Sequence, residues 1–182
     1  MNTEVKDVKA LEADEIIVAT GAVPNRIPVP GAETAVEAVD YLLGNKPVGE
    51  NVVVVGGGLT GCEIAYDLYL KGKKPVLVEM QDDLVTTPGI CLANTSYLRD
   101  FFKTNQVPVH LETRLSSIEA DGVTVTDKEG KTFKIPAESV ILSVGYRPAP
   151  LATKGVHVLG DAAKVGNLRT VIWQAWDICM KL

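Results

Sequence analysis

The sequence of 182 residues predicts an α/β fold in which helices cover a parallel β-sheet. Short runs rich in valine and isoleucine alternate with stretches of helical periodicity, a pattern typical of βαβ units. One of these runs, at residues 51–55, leads directly into a glycine-rich turn and then into a helical stretch. This order of strand, turn and helix indicates a Rossmann-like domain.

The individual elements follow from the same patterns. The predicted strands are residues 15–19, 51–55, 75–79, 107–111, 122–126, 132–135, 140–144 and 155–159. The predicted helices are residues 36–43, 59–70, 94–104 and 168–182. Two Asp-Gly or Glu-Gly turn signals favour antiparallel hairpins within residues 115–135.

An internal similarity suggests how the chain divides into domains. Segments 16–24 and 140–148 are both apolar strands that end in glycine, with proline three residues later. Glycine permits a sharp turn and proline cannot continue a central strand, so we interpret both places as hinges. They predict a central domain of residues 31–145 and a discontinuous second domain of residues 1–30 and 146–182.

Composition narrows the classes of function. The net charge of −5 argues against nucleic-acid binding, which leaves a basic footprint. Apolar runs are far shorter than the ~20 residues of a membrane span, and the charged N-terminus has no signal-peptide pattern. Three cysteines without a CxxC pair favour neither a disulfide framework nor a zinc site, so we expect no metal. We expect a cytoplasmic protein.

The glycine-rich turn is the motif that points to chemistry. It consists of Gly56, Gly57, Gly58, Leu59, Thr60 and Gly61. In such a GxGxxG turn the three glycines permit a tight turn, close approach of a diphosphate and close packing of the helix. The diphosphate would lie at the helix N-terminus, where unpaired N–H groups and the helix dipole favour an anion. The alternative is a turn that only packs a helix.

An acidic residue completes this pattern. Glu79 ends the next predicted strand, within the roughly 20-residue distance at which a carboxylate accepts hydrogen bonds from the adenine ribose. Met80 follows it directly. Residues 80–83 contain no arginine that could bind a 2′-phosphate, so we predict a preference for NAD(H) over NADP(H).

Four segments carry a resemblance to a known family. Residues 19–21, 56–65, 143–148 and 159–163 occur in the order found in flavoprotein reductases with two dinucleotide sites. The last of these segments continues to residue 167, and residues 160–167, which lead into a tryptophan-containing helix, are the most family-specific part of the sequence. The sequence resembles the C-terminal portion of the 2-enoate reductase / 2,4-dienoyl-CoA reductase family, relatives of trimethylamine dehydrogenase.

The resemblance implies an electron relay. NADH would pass hydride to FAD, and an iron–sulfur cluster and FMN in an N-terminal barrel would carry the electrons to a C=C bond. The barrel, the cysteine cluster and the first FAD glycine turn are not in this sequence. We therefore expect an NAD domain with part of an FAD domain, inactive alone. No catalytic side chain is expected, because the cofactors carry the chemistry.

The resemblance also assigns residues outside the glycine turn to cofactor contacts. These are Thr20, Gly21, Glu63, Gly145, Gly160 and Asp161. Glu63 would face the nicotinamide end of NADH, and its alternative role is an acid in the first helical turn. Gly145 would border the NAD cleft. Asp161 would bind the FAD ribitol, and its alternative role is a helix N-cap. Thr20 and Gly21 would approach FAD or simply end a strand.

The last predicted helix has an unusually wide apolar face. Trp173, Trp176 and Met180 widen a stripe that one neighbouring element would cover. We predict that this face packs against the rest of the FAD domain in a longer protein, or against a second copy. Two other functions remain open: an ADP-binding module without hydride transfer, and part of an FAD-linked NADH dehydrogenase or oxidase.

Overall fold

A computed structural model describes residues 2–182 of the chain. The chain forms two compact units, one of which is Arg26–Gly145. The other joins the residues up to Asn25 with Tyr146–Leu182. The central unit begins at Arg26 and not at residue 31, because Ile27 and Val29 pack into one of its cores.

The secondary structure of residues 2–182 comprises twelve strands and four α-helices. The strands are β1 (Ile17–Val18), β2 (Ala22–Pro24), β3 (Val36–Glu37), β4 (Asn51–Val55), β5 (Lys74–Val78), β6 (Val109–His110), β7 (Arg114–Glu119), β8 (Gly122–Thr126), β9 (Thr132–Pro136), β10 (Ser139–Leu142), β11 (Tyr146–Pro148) and β12 (His157–Val158). The helices are α1 (Ala38–Leu42), α2 (Leu59–Leu70), α3 (Leu92–Thr104) and α4 (Leu168–Cys179). Short 3₁₀ turns lie at Val8–Ala10, Ala32–Thr34 and Gly160–Ala162.

A five-stranded parallel sheet with the order β3-β10-β4-β5-β6 organises the central unit. Strand β4 lies in the middle, and Val53 pairs with Val76 of β5 and Val140 of β10. Four consecutive valines of β4 are buried. A central parallel strand is covered on both faces, which explains this continuous apolar run. The predicted α/β class is confirmed.

Each face of the sheet has its own core. Helices α2 and α3 cover one face, where Ile64, Leu68 and Phe102 are fully buried. The other face packs against a three-stranded antiparallel sheet, β7-β8-β9, whose Val123 and Val125 are fully buried. The hairpins predicted within residues 115–135 are therefore present.

Tertiary pairing changes the predicted helix at residues 36–43. Its first two residues form β3, where Val36 and Glu37 pair with Ile141 and Leu142 of β10. Only Ala38–Leu42 is helical. Val36 and Glu37 lie next to the edge of the sheet and gain hydrogen bonds by pairing with β10. Local hydrophobic periodicity does not reveal such pairing between distant segments.

The second unit contains two small sheets and α4. Strands β1 and β12 pair in parallel, and β2 and β11 pair antiparallel with Tyr146 opposite Pro24. The similar segments of the sequence thus end in strands that pair with each other. No helix among residues 2–182 is long and apolar enough to cross a membrane.

Helix α4 is shorter than predicted and largely exposed. It begins with a capping box between Asn167 and Thr170 and ends at Cys179, three residues before the end of the chain. Trp173 and Trp176 are each 59% exposed. Association of this face with a second copy stays a prediction.

The central core predicts a contrast between two leucines of α2. Leu68 is fully buried, whereas Leu70 is 62% exposed. We expect Leu68→Ala to lower the free energy of unfolding by about 2–5 kcal/mol, because it leaves a cavity in the packed core. Leu70→Ala serves as the matched control and should change it by less than about 0.5 kcal/mol. Urea denaturation measures both, and equal effects would contradict the assignment of this core.

The burial of Cys62 predicts unequal thiol reactivity. Burial raises the pKa of the Cys62 thiol to about 12, while Cys91 and Cys179 are exposed. Only the thiolate reacts with disulfide reagents, so labelling at pH 8 should modify Cys91 and Cys179 and leave Cys62 intact until urea is added. In Cys62→Ala the labelling of the folded protein should be unchanged. Rapid modification of Cys62 in the folded protein would contradict this.

Candidate functional site

The glycine-rich turn connects β4 to α2 through a backbone conformation that only glycine adopts readily. Gly56 has a φ of +106°, and a Cβ at this position would collide with the carbonyl group of Ser143. Its N–H donates to the carbonyl oxygen of Val78 at 2.9 Å. The turn is therefore fixed between the ends of the two neighbouring strands, β10 and β5.

The other glycines of the turn differ in how much space surrounds them. A Cβ on Gly61 would collide with the carbonyl oxygen of Gly56, so α2 packs directly on the turn. A Cβ on Gly57 would overlap Leu84 and Glu79. At Gly58, by contrast, a Cβ would meet no atom within 4 Å. Gly58 borders the open part of the site.

The start of α2 is suited to an anion. Gly58 is the N-cap of the helix, no side chain caps the helix, and its first turn has no acidic residue. The first N–H groups of a helix lack partners within the helix and carry its positive dipole end. Leu59 and Thr60 are half-buried here, so the first turn remains accessible. These backbone groups provide a cradle beside Gly58 that is suited to an anion.

Glu79 links the turn to the carboxyl end of β5. Its Oε2 accepts a hydrogen bond from the N–H of Gly57, and its Oε1 accepts one from Gln81 at 2.7 Å. The residue is 9% exposed. The predicted carboxylate is thus located directly beside the glycine turn, and Met80 after it is exposed.

A polar cavity of about 530 Å³ lies next to Met80. Its lining consists of Met80, Gln81, Asp82, Glu112, Arg114, Thr126, Asp127 and Lys128. The absence of arginine at positions 80–83 did not indicate these two basic residues, because Arg114 lies in β7 and Lys128 in the turn after β8. Arg114 pairs with Thr126, two residues before Lys128, so the antiparallel register brings Arg114 and Lys128 to the same cavity.

Gly145 and Glu63 are the residues predicted to border the NAD cleft and to face the nicotinamide, respectively. Gly145 follows β10 with a φ of +84°. Glu63 is exposed and is the fifth residue of α2, so its alternative role as an acid of the first turn is wrong. Cys62 is a core residue whose Sγ lies 3.4 Å from the carbonyl oxygen of Gly57.

Glu37 is an ionisable residue that the sequence analysis missed. It ends β3, two strands from β4, in the stretch that was predicted as helix. Burial, together with the nearby Asp40 carboxylate, raises the pKa of its side chain. A polar residue at the carboxyl edge of a parallel sheet lies where such folds bind ligands.

In the second unit, hydrogen bonds join the Thr20–Gly21 turn to residues that follow β11. The Oγ of Thr20 donates to the carbonyl oxygen of Ala149 at 2.9 Å and accepts from the N–H of Leu151 at 3.1 Å. The carbonyl oxygen of Gly21 accepts from the N–H of Ala149. These contacts hold the segment that follows β11 against the end of β1.

The Gly160–Ala162 turn precedes α4. The N–H of Gly160 donates to Gln174 at 2.7 Å, and Asp161 accepts from the N–H of Gly166 at 3.0 Å. The N-cap of α4 is Asn167, so the alternative role of Asp161 as that cap is wrong. No group of three or more His, Cys, Asp or Glu side chains within residues 2–182 could hold a metal ion.

Known proteins with similar sequences include reductases, dehydrogenases and an oxidase. Cinnamate reductase from Clostridium sporogenes is 33% identical over 97% of this chain and 28% of its own length. NADH oxidase from Thermoanaerobacter brockii is 31% identical over 100% of this chain and 30% of its own length. The chain therefore spans less than a third of these relatives.

Solved structures show the same fold. A 2-naphthoyl-CoA reductase superposes with a TM-score of 0.82 at 23% identity, over 93% of this chain and 27% of that protein. Histamine dehydrogenase from Rhizobium sp. 4-9 gives a TM-score of 0.75 at 16% identity, over 92% of this chain and 30% of that protein.

The family comparison accounts for nearly the whole chain. The family model described as pyridine nucleotide-disulphide oxidoreductase matches residues 1–169. Its FAD- or NAD(P)-binding, Rossmann-like architecture agrees with the parallel sheet and glycine turn of Arg26–Gly145. The chain is a dinucleotide-binding module that is related to cinnamate reductase and shares the fold of 2-naphthoyl-CoA reductase, and it belongs to the pyridine nucleotide-disulphide oxidoreductase family.

Proposed function

We propose that the chain is the NADH-binding module of a longer flavin-dependent oxidoreductase, in which NADH reduces FAD. The observation that carries this proposal is the open, uncapped start of α2 beside Gly58, next to the Glu79 carboxylate. A side-chain-free space, a helix N-terminus and a carboxylate at the end of the next strand are the three features that a dinucleotide needs.

The proposed orientation follows from the strand order. The diphosphate would lie on the backbone N–H groups from Gly58 to Gly61, and the adenine ribose would bind at Glu79, beside Met80. The nicotinamide would then extend toward the end of β10, where Gly145 follows the strand, and Glu63 on α2 is proposed to face it. Glu79 is already held by two backbone N–H groups, so its orientation is set before the ribose arrives.

The chemistry belongs to the cofactors. NADH supplies a hydride, and a flavin accepts it, so the protein has to bind and orient the two. Among the described residues of the second unit, the turns at Thr20, Gly21, Gly160 and Asp161 are offered for FAD contacts in the longer protein. Within residues 2–25 and 146–182 they do not form a second glycine-rich strand–turn–helix, so residues outside this chain would have to hold the FAD diphosphate.

The likeness to cinnamate reductase supports a more specific proposal for the longer protein. Its final reaction would be the reduction of an activated C=C bond, with an iron–sulfur cluster and FMN supplied by residues outside this chain. The likeness to NADH oxidase supports the alternative of an FAD-linked NADH dehydrogenase or oxidase. Both proposals need the same NADH-binding site.

Ligand titration provides the direct test of this site. We expect NADH to bind and NADPH to bind at least about tenfold more weakly, a difference of ~1.4 kcal/mol. The reason is that Glu79 accepts hydrogen bonds from ribose hydroxyls and repels a 2′-phosphate. Isothermal titration calorimetry with NADH, NADPH and ADP measures these affinities. Equal affinities for ADP and NADH would favour the ADP-binding module, and no binding would contradict the proposal.

Gly58 and Gly61 allow a second test, because their substitution should affect different properties. Gly58→Ala introduces a methyl group into open space, so we expect folding to persist while NADH affinity falls at least about tenfold. Gly61→Ala collides with the carbonyl oxygen of Gly56 and should destabilise the fold itself by about 1–3 kcal/mol. Thermal melting and calorimetry separate the two effects. Unchanged NADH affinity in Gly58→Ala would contradict the proposed diphosphate position.

A further inference from the structure

The polar cavity beside Met80 contains a cation that is already paired. The Nζ of Lys128 lies 2.6 Å from Oε2 of Glu112. We propose that Glu112 is a specificity residue of the dinucleotide site, which pairs with Lys128 and thereby makes the cavity reject a 2′-phosphate. This inference rests on the proposed binding of NADH by the chain.

The backbone places Glu112 against the Glu79 segment. The N–H of Thr113 donates to the carbonyl oxygen of Glu79 at 2.9 Å, and the N–H of Glu112 donates to that of Gln81 at 2.8 Å. These two bonds join the segments that follow β5 and β6. Glu112 adopts a φ of +47°, which is uncommon for a residue other than glycine, so its position is determined by these contacts.

The turn that carries Lys128 is also fixed. Oδ1 of Asp127 accepts hydrogen bonds from the N–H groups of Glu129 and Lys131, at 3.0 and 2.9 Å. Its backbone N–H donates to the carbonyl oxygen of Lys131. Lys128 therefore extends from a hydrogen-bonded hairpin turn, and only its side chain has to rotate to reach another anion.

The ion pair contributes little to stability, because both side chains are largely exposed. The Lys128 side chain is 61% exposed and that of Glu112 is 40% exposed. Pairs with such exposure are strongly screened by solvent. Lys128 donates a hydrogen bond to the Glu112 carboxylate, and this bond raises the pKa of the lysine. Lys128 is therefore charged at neutral pH and already paired with a carboxylate.

The remaining charges of the cavity favour rejection of an anion. Asp82 and Asp127 accompany Glu112 in the lining, against the two cations Arg114 and Lys128, and Glu79 lies just behind them. A 2′-phosphate carries close to two negative charges and would meet more carboxylates than free cations. Selection against one ligand by like charge is a common source of specificity. Removing the carboxylate that holds Lys128 should reverse this balance.

The experiment compares the ratio of NADPH to NADH dissociation constants in four proteins. These are the unmodified chain, Glu112→Gln, the double variant Glu112→Gln/Lys128→Ala, and Glu33→Gln. Glu33 is an exposed residue outside the cavity, so Glu33→Gln makes the same change of net charge elsewhere in the central unit. Calorimetry with NADH and NADPH at fixed ionic strength gives the ratios.

We expect Glu112→Gln to lower the ratio about tenfold in favour of NADPH, the size of one new charge-assisted hydrogen bond. The double variant should lose this gain, because the freed lysine is its cause, and Glu33→Gln should keep the original ratio. A ratio in Glu112→Gln that matches Glu33→Gln would overturn the inference and leave the proposed function intact. If the unmodified chain binds neither dinucleotide, the proposed function fails and the inference fails with it.

Discussion

The site depends on one backbone contact that leaves no room for a side chain. Helix α2 starts so close to the turn before it that Gly61 touches the carbonyl oxygen of Gly56. This contact directs the N-terminal end of the helix toward the carboxyl edge of the sheet. A side chain at Gly61 would push the start of the helix, with its uncapped N–H groups, away from the turn. The packing of the core and the geometry of the anion cradle are thus consequences of the same glycine.

The Glu79 carboxylate has a second organising role, because it joins three segments. The carboxylate accepts hydrogen bonds from the N–H of Gly57 in the turn and from the N–H of Gln81 after β5. The backbone carbonyl oxygen of Glu79 accepts a third hydrogen bond, from the N–H of Thr113. A buried carboxylate is costly unless hydrogen bonds satisfy it, and two backbone donors do so here. The residue that would recognise the ribose therefore also aligns the glycine turn with the wall of the neighbouring cavity.

The sequence predicts the bounds of those helices and strands whose ends are marked by residues within or next to the element itself. Strand β4, helix α2 and strand β8 have the predicted bounds, because a valine run, a glycine turn and an Asp-Gly turn mark their ends. Strand β3 was missed because its two residues are strand only through pairing with β10. Arg114 and Lys128 were missed for the same reason, since a register between distant strands brings them beside Met80. The glycines of residues 56–61 and Glu79, by contrast, could be identified from their spacing along the sequence alone.

The antiparallel pairing of β2 with β11 has a consequence for how such a chain can arise. The polypeptide leaves the second unit after Asn25 and returns to it at Tyr146. Pro24, next to the exit, faces Tyr146 in the ladder. Entry and exit are therefore neighbours, as they are at sites where whole domains can be inserted without loss of the host fold. A single ancestral insertion or exchange of genetic material at this ladder would transfer the entire central unit, with its glycine turn and its cavity, between otherwise unrelated hosts.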